Sequence, residues 1–384
     1  MQIHSLMTRL IDWTRPREVA MTRLLGRFVR EESPSFDKIA VDRFGRMVAA
    51  EWKRRGAGVT LLRQRERGDH IRVEWPLRKN RARGQILVLG HLDTVFGRAS
   101  TRAPFRVSRG RAWGPGTFDM KGGLVIALFA VDALVAAGIL PEKRIVFLWT
   151  SDEEIGSQTS RAVIEREARH SDAVLVLEPA LGPQGRVKTG RKGVGEIEVI
   201  VTGRAAHAGL NPEDGVNAVE EISLQIARVT RWNDPRRGIT VNAGVIEGGT
   251  RTNVIPDHAR ALIDVRASRP EDMRALERKF RAIRPILKGA ILEVRGGFNR
   301  PPMERKTSVA LYKKARALSE EMGISLGEAF VGGGSDGNFT AALGVPTLDG
   351  LGAIGEGAHS SRENVVVRAL PERAALVAGL LAAL

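Results

Sequence analysis

The residues of this chain best suited to chemistry are two histidines and a set of carboxylates placed at the ends of apolar runs. His91 and Asp93 directly follow the run Gln85 to Gly90, while Asp152, Glu153 and Glu154 directly follow Arg144 to Thr150. Glu178 closes the run that begins at Ala173. Asp119 lies in a glycine-flanked loop, GPGTFDMKGG, and His359 in another, LGAIGEGAHSS. The chain has no cysteine, which excludes disulfides, thiolate metal sites and a cysteine nucleophile and leaves imidazole and carboxylate as metal ligands. Taken singly, each of these residues has an ordinary structural use, as a surface histidine or a solvated helix start. Gathered in one crevice, the acidic groups would repel one another strongly unless cations neutralised them. Such a nitrogen-and-oxygen donor set suits zinc, with cobalt or manganese as substitutes.

The elements that must position these groups follow from the apolar pattern. The three runs are short and continuous, as buried parallel strands are, and Gly122 to Gly138 and Thr159 to Arg169 between them read as helices. This alternation predicts an α/β domain with a doubly wound, mostly parallel sheet. Ligands of such sheets bind at the carboxyl ends of the strands, where the histidines and carboxylates are expected to converge. The rhythm changes over 194 to 297, which reads strand, helix (Asn217 to Trp232), strand, strand, helix (Pro270 to Ile283), strand. That order predicts an inserted ferredoxin-like α+β layer. The first pattern then resumes with a helix from Val309 to Met322, a strand from Val345 to Asp349 and a helix from Pro371. The expected division is 1–190 with 300–384 for the catalytic domain and 191–299 for the inserted one. Near the start, Leu6, Leu10, Trp13, Met21, Leu24, Leu25 and Phe28 have the spacing of a core-facing helix pair.

At 384 residues the chain is longer than one core usually organises, and 43% hydrophobic residues with 42 glycines suit a globular protein rich in turns. The net charge of +16 raises the question of polyanion binding. Its basic residues are scattered, as in Arg63, Arg65, Arg67, Arg78, Lys79, Arg81 and Arg83, without an aromatic-interleaved patch. No nucleic-acid partner is expected, while attraction of small acidic substrates is compatible. Arg9, Asp12, Arg15 and Arg17 interrupt any secretory apolar stretch, and no run is long enough to span a bilayer. A cytoplasmic location without a membrane partner is the expectation.

HLDTVF (91–96), GPGTFDMKGG (114–123), TSDEEIGS (150–157), LEP (177–179), GRAAHAG (203–209), NVIP (253–256), DVR (264–266) and GGGSD (332–336) carry a family resemblance. With this order and spacing the chain resembles the aminoacylase/glutamate carboxypeptidase family of di-zinc exopeptidases, and within it the folate-cleaving glutamate carboxypeptidases. The resemblance implies two zinc ions per subunit, bridged by Asp119. His91 and Glu178 would complete one site, and Glu154 and His359 the other. It implies Glu153 as general base towards a water shared by the two metals, Asp93 as the group that orients His91, and a cis peptide bond after Asp119. In similar proteins the inserted domain is a dimerisation and lid domain, and a histidine matching His207 stabilises the oxyanion in the partner's active site, which implies a homodimer. Asn253 and Arg266 resemble residues that hold the substrate's terminal carboxylate, and Gly334 one that brings backbone close to the substrate. Arg186 and Arg300 stand where the folate-cleaving enzymes carry further basic anchors, as a glutamate side chain would require.

The implied reaction is hydrolysis of the peptide or N-acyl amide bond to a C-terminal amino acid, with preference for glutamate. An N-acyl amino acid deacylase or desuccinylase, of the acetylornithine or succinyl-diaminopimelate type, would keep the same catalytic residues and differ in its pocket. A non-catalytic polyanion-binding protein on the same fold is the alternative from another class, and the intact Glu153 argues against it.

Overall fold

The computed structural model describes residues 5–76, 84–97 and 105–384; Arg78, Lys79, Arg81 and Arg83 lie outside the described residues. Contacts divide the chain into two compact units. The first comprises Met1–Gly190, Arg305–Val331 and Ser335–Leu384, and the second Arg191–Glu304 with Gly332–Gly334.

In the first unit a six-stranded sheet runs in the order Gly58–Leu62, His70–Trp75, Arg144–Thr150, Gln85–His91, Ala173–Val176, Thr347–Leu348. The last four strands are parallel, and the first two form an antiparallel hairpin on one edge, a feature the sequence reading did not include. Alternation along the strands explains why they are apolar throughout. Ile86, Val88, Ile145, Phe147 and Trp149 enter one buried cluster, and Leu87, Leu89, Val146 and Leu148 enter another on the opposite face. A sheet covered on both faces needs apolar residues at every position. Gly122–Ala136 packs on the first face, apolar nearly all round its circumference, with the helices Leu6–Thr14, Glu18–Arg30 and Ala369–Ala383. Pro346 shortens the strand expected at Val345 to Asp349: it has no N–H to give, so pairing begins at Thr347.

Strand order fixes where a ligand can bind. From Gln85–His91 the chain crosses to Arg144–Thr150 on one side and then returns to Ala173–Val176 on the other. The crevice where the winding changes direction is therefore flanked by the carboxyl ends of all three strands.

The second unit is an antiparallel sheet in the order Thr240–Gly248, His258–Ala267, Gly193–Thr202, Ile291–Arg300, with helices Ala218–Val229 and Pro270–Arg281. This is the ferredoxin-like arrangement, and its own core includes Ile197, Val199, Ile222, Ile263, Val265, Leu276 and Phe280. Among the described residues no helix is long and apolar enough to cross a membrane.

The helix Lys38–Arg54 seals the strand Arg144–Thr150 through Trp52, whose ring lies 4.2 Å from Phe147 and 6.1 Å from Trp149. Trp52→Ala is expected to cost about 3–5 kcal/mol, read as a lower urea midpoint for the first unit; a shift within experimental error would show that the stack does not support the sheet.

Candidate metal centre

The carboxyl ends of the three strands, together with two loops, bring His91, Asp119, Glu153, Glu154, Glu178 and His359 together. Asp119 lies at the centre. Its Oδ1 is 3.2 Å from His91 Nε2 and its Oδ2 is 3.4 Å from His359 Nε2. Beyond them, His91 Nε2 is 3.5 Å from Glu178 Oε1, and His359 Nε2 is 3.0 Å from Glu154 Oε2. The donors thus form two groups with one oxygen of Asp119 in each, and the Asp119–Met120 peptide bond is cis.

Donors about 2.0–2.2 Å from a tetrahedral zinc lie roughly 3.3–3.6 Å from one another; the 3.4 and 3.5 Å separations match that span and the 3.0 and 3.2 Å ones are slightly tighter, so each group would take a divalent cation with a small outward shift of its side chains. Glu154 Oε1 is buried without a hydrogen-bond partner, as a ligand awaiting a cation would be. Donor atoms of His91, Glu153 and Glu178 also lie within 4.8 Å of one another, as do those of His91, Asp119 and Glu154. The direct contacts favour the grouping around Asp119, with Glu153 beside the His91–Glu178 side.

The electrostatics show a strong demand for positive charge. Burial alone would lower the His91 imidazole, yet the carboxylates of Asp119, Asp93 and Glu178 lift it well above its usual range. Pairing with Asp119 and Glu154 raises His359 to about 10. Burial works to raise Asp119, but its contacts with His359 and His91 hold it far below the usual carboxylate range. Burial raises Glu154. His359 also holds a left-handed backbone conformation, φ 61°, uncommon away from glycine.

Several buried groups aim these ligands. His91 Nδ1 is 2.9 Å from the main-chain oxygen of Asp93 and 3.5 Å from its carboxylate, so the nearer acceptor that orients the ring is the carbonyl. The Asp93 carboxylate accepts the Ser35 hydroxyl and the amides of Glu153 and Glu154, so it orients the turn that carries those two acids. Asp152 turns away from the cluster and accepts the amide and hydroxyl of Thr159. Asp336 of the GGGSD segment accepts the hydroxyls of Thr150 and Ser157 beneath the same turn. His70, pushed down by burial, adds contacts with the Ser151 and Thr159 hydroxyls. Opposite, Glu363 accepts three amides of the Asp119 loop. Ser35, His70 and Glu363 escaped the sequence reading. Glu363 left one signal, an acidic residue four positions beyond His359, and Ser35 and His70 left none.

Arg186, also in the first unit, is exposed, with its main chain paired to Leu181 and its side-chain stem against Gly327. The other expected residues belong to the second unit and form two groups. His207 pairs across a short ladder with Val254, and Asn253 O accepts the Ala208 amide. His207 Nδ1 accepts the amides of Gly209 and Leu210, which places the proton of the neutral ring on Nε2, ready to donate. Around Gly332–Gly334, Arg266 donates to Gly332 O while gripping Asp264, and Arg191 donates to the carbonyls of Gly333 and Gly334. Gly334 lies against the Arg300 stem, where a Cβ would come within 3.1 Å.

Residues 87–383 match the model of the family described as Peptidase family M20/M25/M40. The chain is 33% identical over 378 residues to carboxypeptidase G2 of Pseudomonas sp. (strain RS-16), covering 94% of this chain and 88% of that protein. It is 30% identical over 292 residues to succinyl-diaminopimelate desuccinylase of Dechloromonas aromatica, covering 72% and 76%. Among solved structures, aminopeptidase PepT of Bacillus cereus superposes with a TM-score of 0.78 at 23% identity over 95% of this chain and 98% of that one. The metallo-carboxypeptidase Sso-CP2 of Sulfolobus solfataricus gives 0.74 at 18% identity over 94% and 98%. At these identities the two structures show a shared fold.

In metal-free protein the protonated imidazoles stand in for the cations, which gives a pH dependence of definite sign. The contribution of His359, raised from 6.5 to about 10, is complete below pH 6.5 and fades as pH rises towards 10. Glu154, also raised, acts in the same direction. The contribution of Asp119, whose pKa is depressed, is present above 3.8 and is lost on further acidification. Thermal melting in chelator is expected to show falling stability from pH 6.5 to 10, and a flat profile there would contradict the ion pairing.

Proposed function

The chain belongs to the M20/M25/M40 peptidase family, and from that membership we propose that it is a two-zinc carboxypeptidase that hydrolyses the amide bond to a C-terminal amino acid, with preference for glutamate. The observation that carries this reading is the Asp119 carboxylate, which turns one oxygen to a His91–Glu178 group and the other to a His359–Glu154 group.

Two cations held by these residues would polarise the scissile carbonyl and make a water acidic enough to attack it near neutral pH. Glu153 takes the proton of that water and delivers it to the departing amine, so that the leaving group departs neutral. Asp93 keeps Glu153 in place by binding its amide. His207 donates from Nε2 to the oxyanion, and in this reading it does so in the partner of a homodimer paired through the second unit. The first unit is accordingly the catalytic domain and the second the dimerisation and lid domain.

Arg266, with Gly334 lending backbone beside it, holds the terminal carboxylate of the substrate, and Asn253, from the group of His207, contributes to the same carboxylate. Arg300 and Arg186 supply the further positive charge that a glutamate side chain needs. The similarity to carboxypeptidase G2 over most of both chains supports this choice. A second reading, removal of an acyl group such as succinyl from an amino acid, is favoured by the similarity to the desuccinylase.

Full-length protein loaded with zinc or cobalt separates the two. Faster turnover of N-acyl-glutamates and glutamyl-terminated dipeptides than of N-acetyl-ornithine or N-succinyl-diaminopimelate is expected, and no preference for glutamate would remove the first reading. Glu153→Ala is expected to lower kcat by roughly 10²–10⁴-fold with metal content by elemental analysis unchanged. Retained activity would exclude Glu153 as the base.

A further inference from the structure

We propose that Glu363 is a positioning residue that locks the Asp119 loop to the His359 loop, so that the shared ligand of the two cations is in place before either binds; this rests on the two-metal reading above.

Glu363 is 1% exposed. Its Oε2 accepts the Gly116 amide at 2.7 Å, and its Oε1 accepts the amides of Phe118 and Asp119, both at 2.8 Å. Its main-chain oxygen accepts the Gly114 amide at 3.1 Å. The loop from Gly114 to Asp119 therefore spends four amides on one residue. The short strand Asn364–Val366 pairs with Arg111–Trp113, so the ladder ends where Glu363 takes over and continues the contact into the turn.

A buried carboxylate is unfavourable unless donors fill its oxygens, and buried amides are equally unfavourable without acceptors. Here the amides and the carboxylate partner each other, although burial still raises the Glu363 carboxyl to about 7. The donors are backbone groups on and beside Asp119, and the acceptor lies four residues beyond His359, so the bond set joins the shared ligand to a ligand of one group. A neutral amide cannot reproduce it. Glutamine has a single acceptor oxygen, and its NH2 group would face either the Gly116 amide or those of Phe118 and Asp119.

The test uses the full chain, Glu363→Gln, and three measurements: zinc affinity by competition with a chelator, the visible absorption of the cobalt-loaded protein, and hydrogen exchange of the metal-free protein. Glu363→Gln is expected to weaken binding of at least one cation by about 10–100-fold, to alter the cobalt bands, and to lower kcat with little change in KM. In metal-free wild type the amides of Gly116, Phe118 and Asp119 are expected to exchange slowly. Lower thermal stability with unchanged zinc affinity and cobalt spectrum would overturn the proposal, leaving Glu363 a merely structural role. Should Glu363→Gln fail to fold, the wild-type exchange decides: protection of those amides supports the clamp, and exchange at open-loop rates overturns it. Wild type that binds no metal would sink the two-metal reading instead, a result distinct from either.

Discussion

The rest of the first unit depends on one electrostatic constraint: carboxylates from separate elements are held within contact distance in a buried crevice, where like charges cannot coexist without positive charge among them. Asp119, Glu154 and Glu178 share contacts with two imidazoles, those of His91 and His359. The opposed directions of the shifts, His91 and His359 upward and Asp119 downward, express the same demand from both sides. Divalent cations satisfy it more fully than protons do, because each brings two charges and can be shared through a carboxylate.

Such an arrangement is costly to assemble, and the fold meets the cost with backbone amides. Asp93 holds the turn of Glu153 and Glu154 by its amides, and Asp336 braces the same turn through Thr150 and Ser157. Glu363 holds the Asp119 loop. Each turns a flexible strand-to-helix connection into a rigid mount, which is how a site keeps its geometry when its natural tendency is to fly apart. Lys121 adds a further tie: buried beside Asp119, it donates to the carbonyls of Phe28 and Glu31 at the end of an N-terminal helix. The helix Glu18–Arg30 is thereby joined to the Asp119 loop as well as to the core.

The second unit is built on different principles. Its chemistry-bearing residues are donors: His207 with its proton placed on Nε2, and arginines gathered around the glycine turn 332–334. The carbonyls of these glycines accept from arginines, and at Gly334 a side chain would press on the Arg300 stem.

Much of this was legible in the amino-acid order. Continuous apolar runs with a histidine or acid just beyond them identified buried parallel strands and the groups at their ends, and the strand and helix periods of 194–297 were enough to name a ferredoxin-like layer. Burial leaves a local pattern, and chemistry at strand ends inherits it. Neighbour order leaves none, so the edge hairpin 58–75 and the placement of Gln85–His91 between Arg144–Thr150 and Ala173–Val176 were decided by tertiary packing alone. The same holds for Ser35 and for the partners of Glu363, which are a carboxylate and backbone amides far away in the chain. A backbone amide has no side-chain identity to read, so only the folded chain shows which distant acid it will meet.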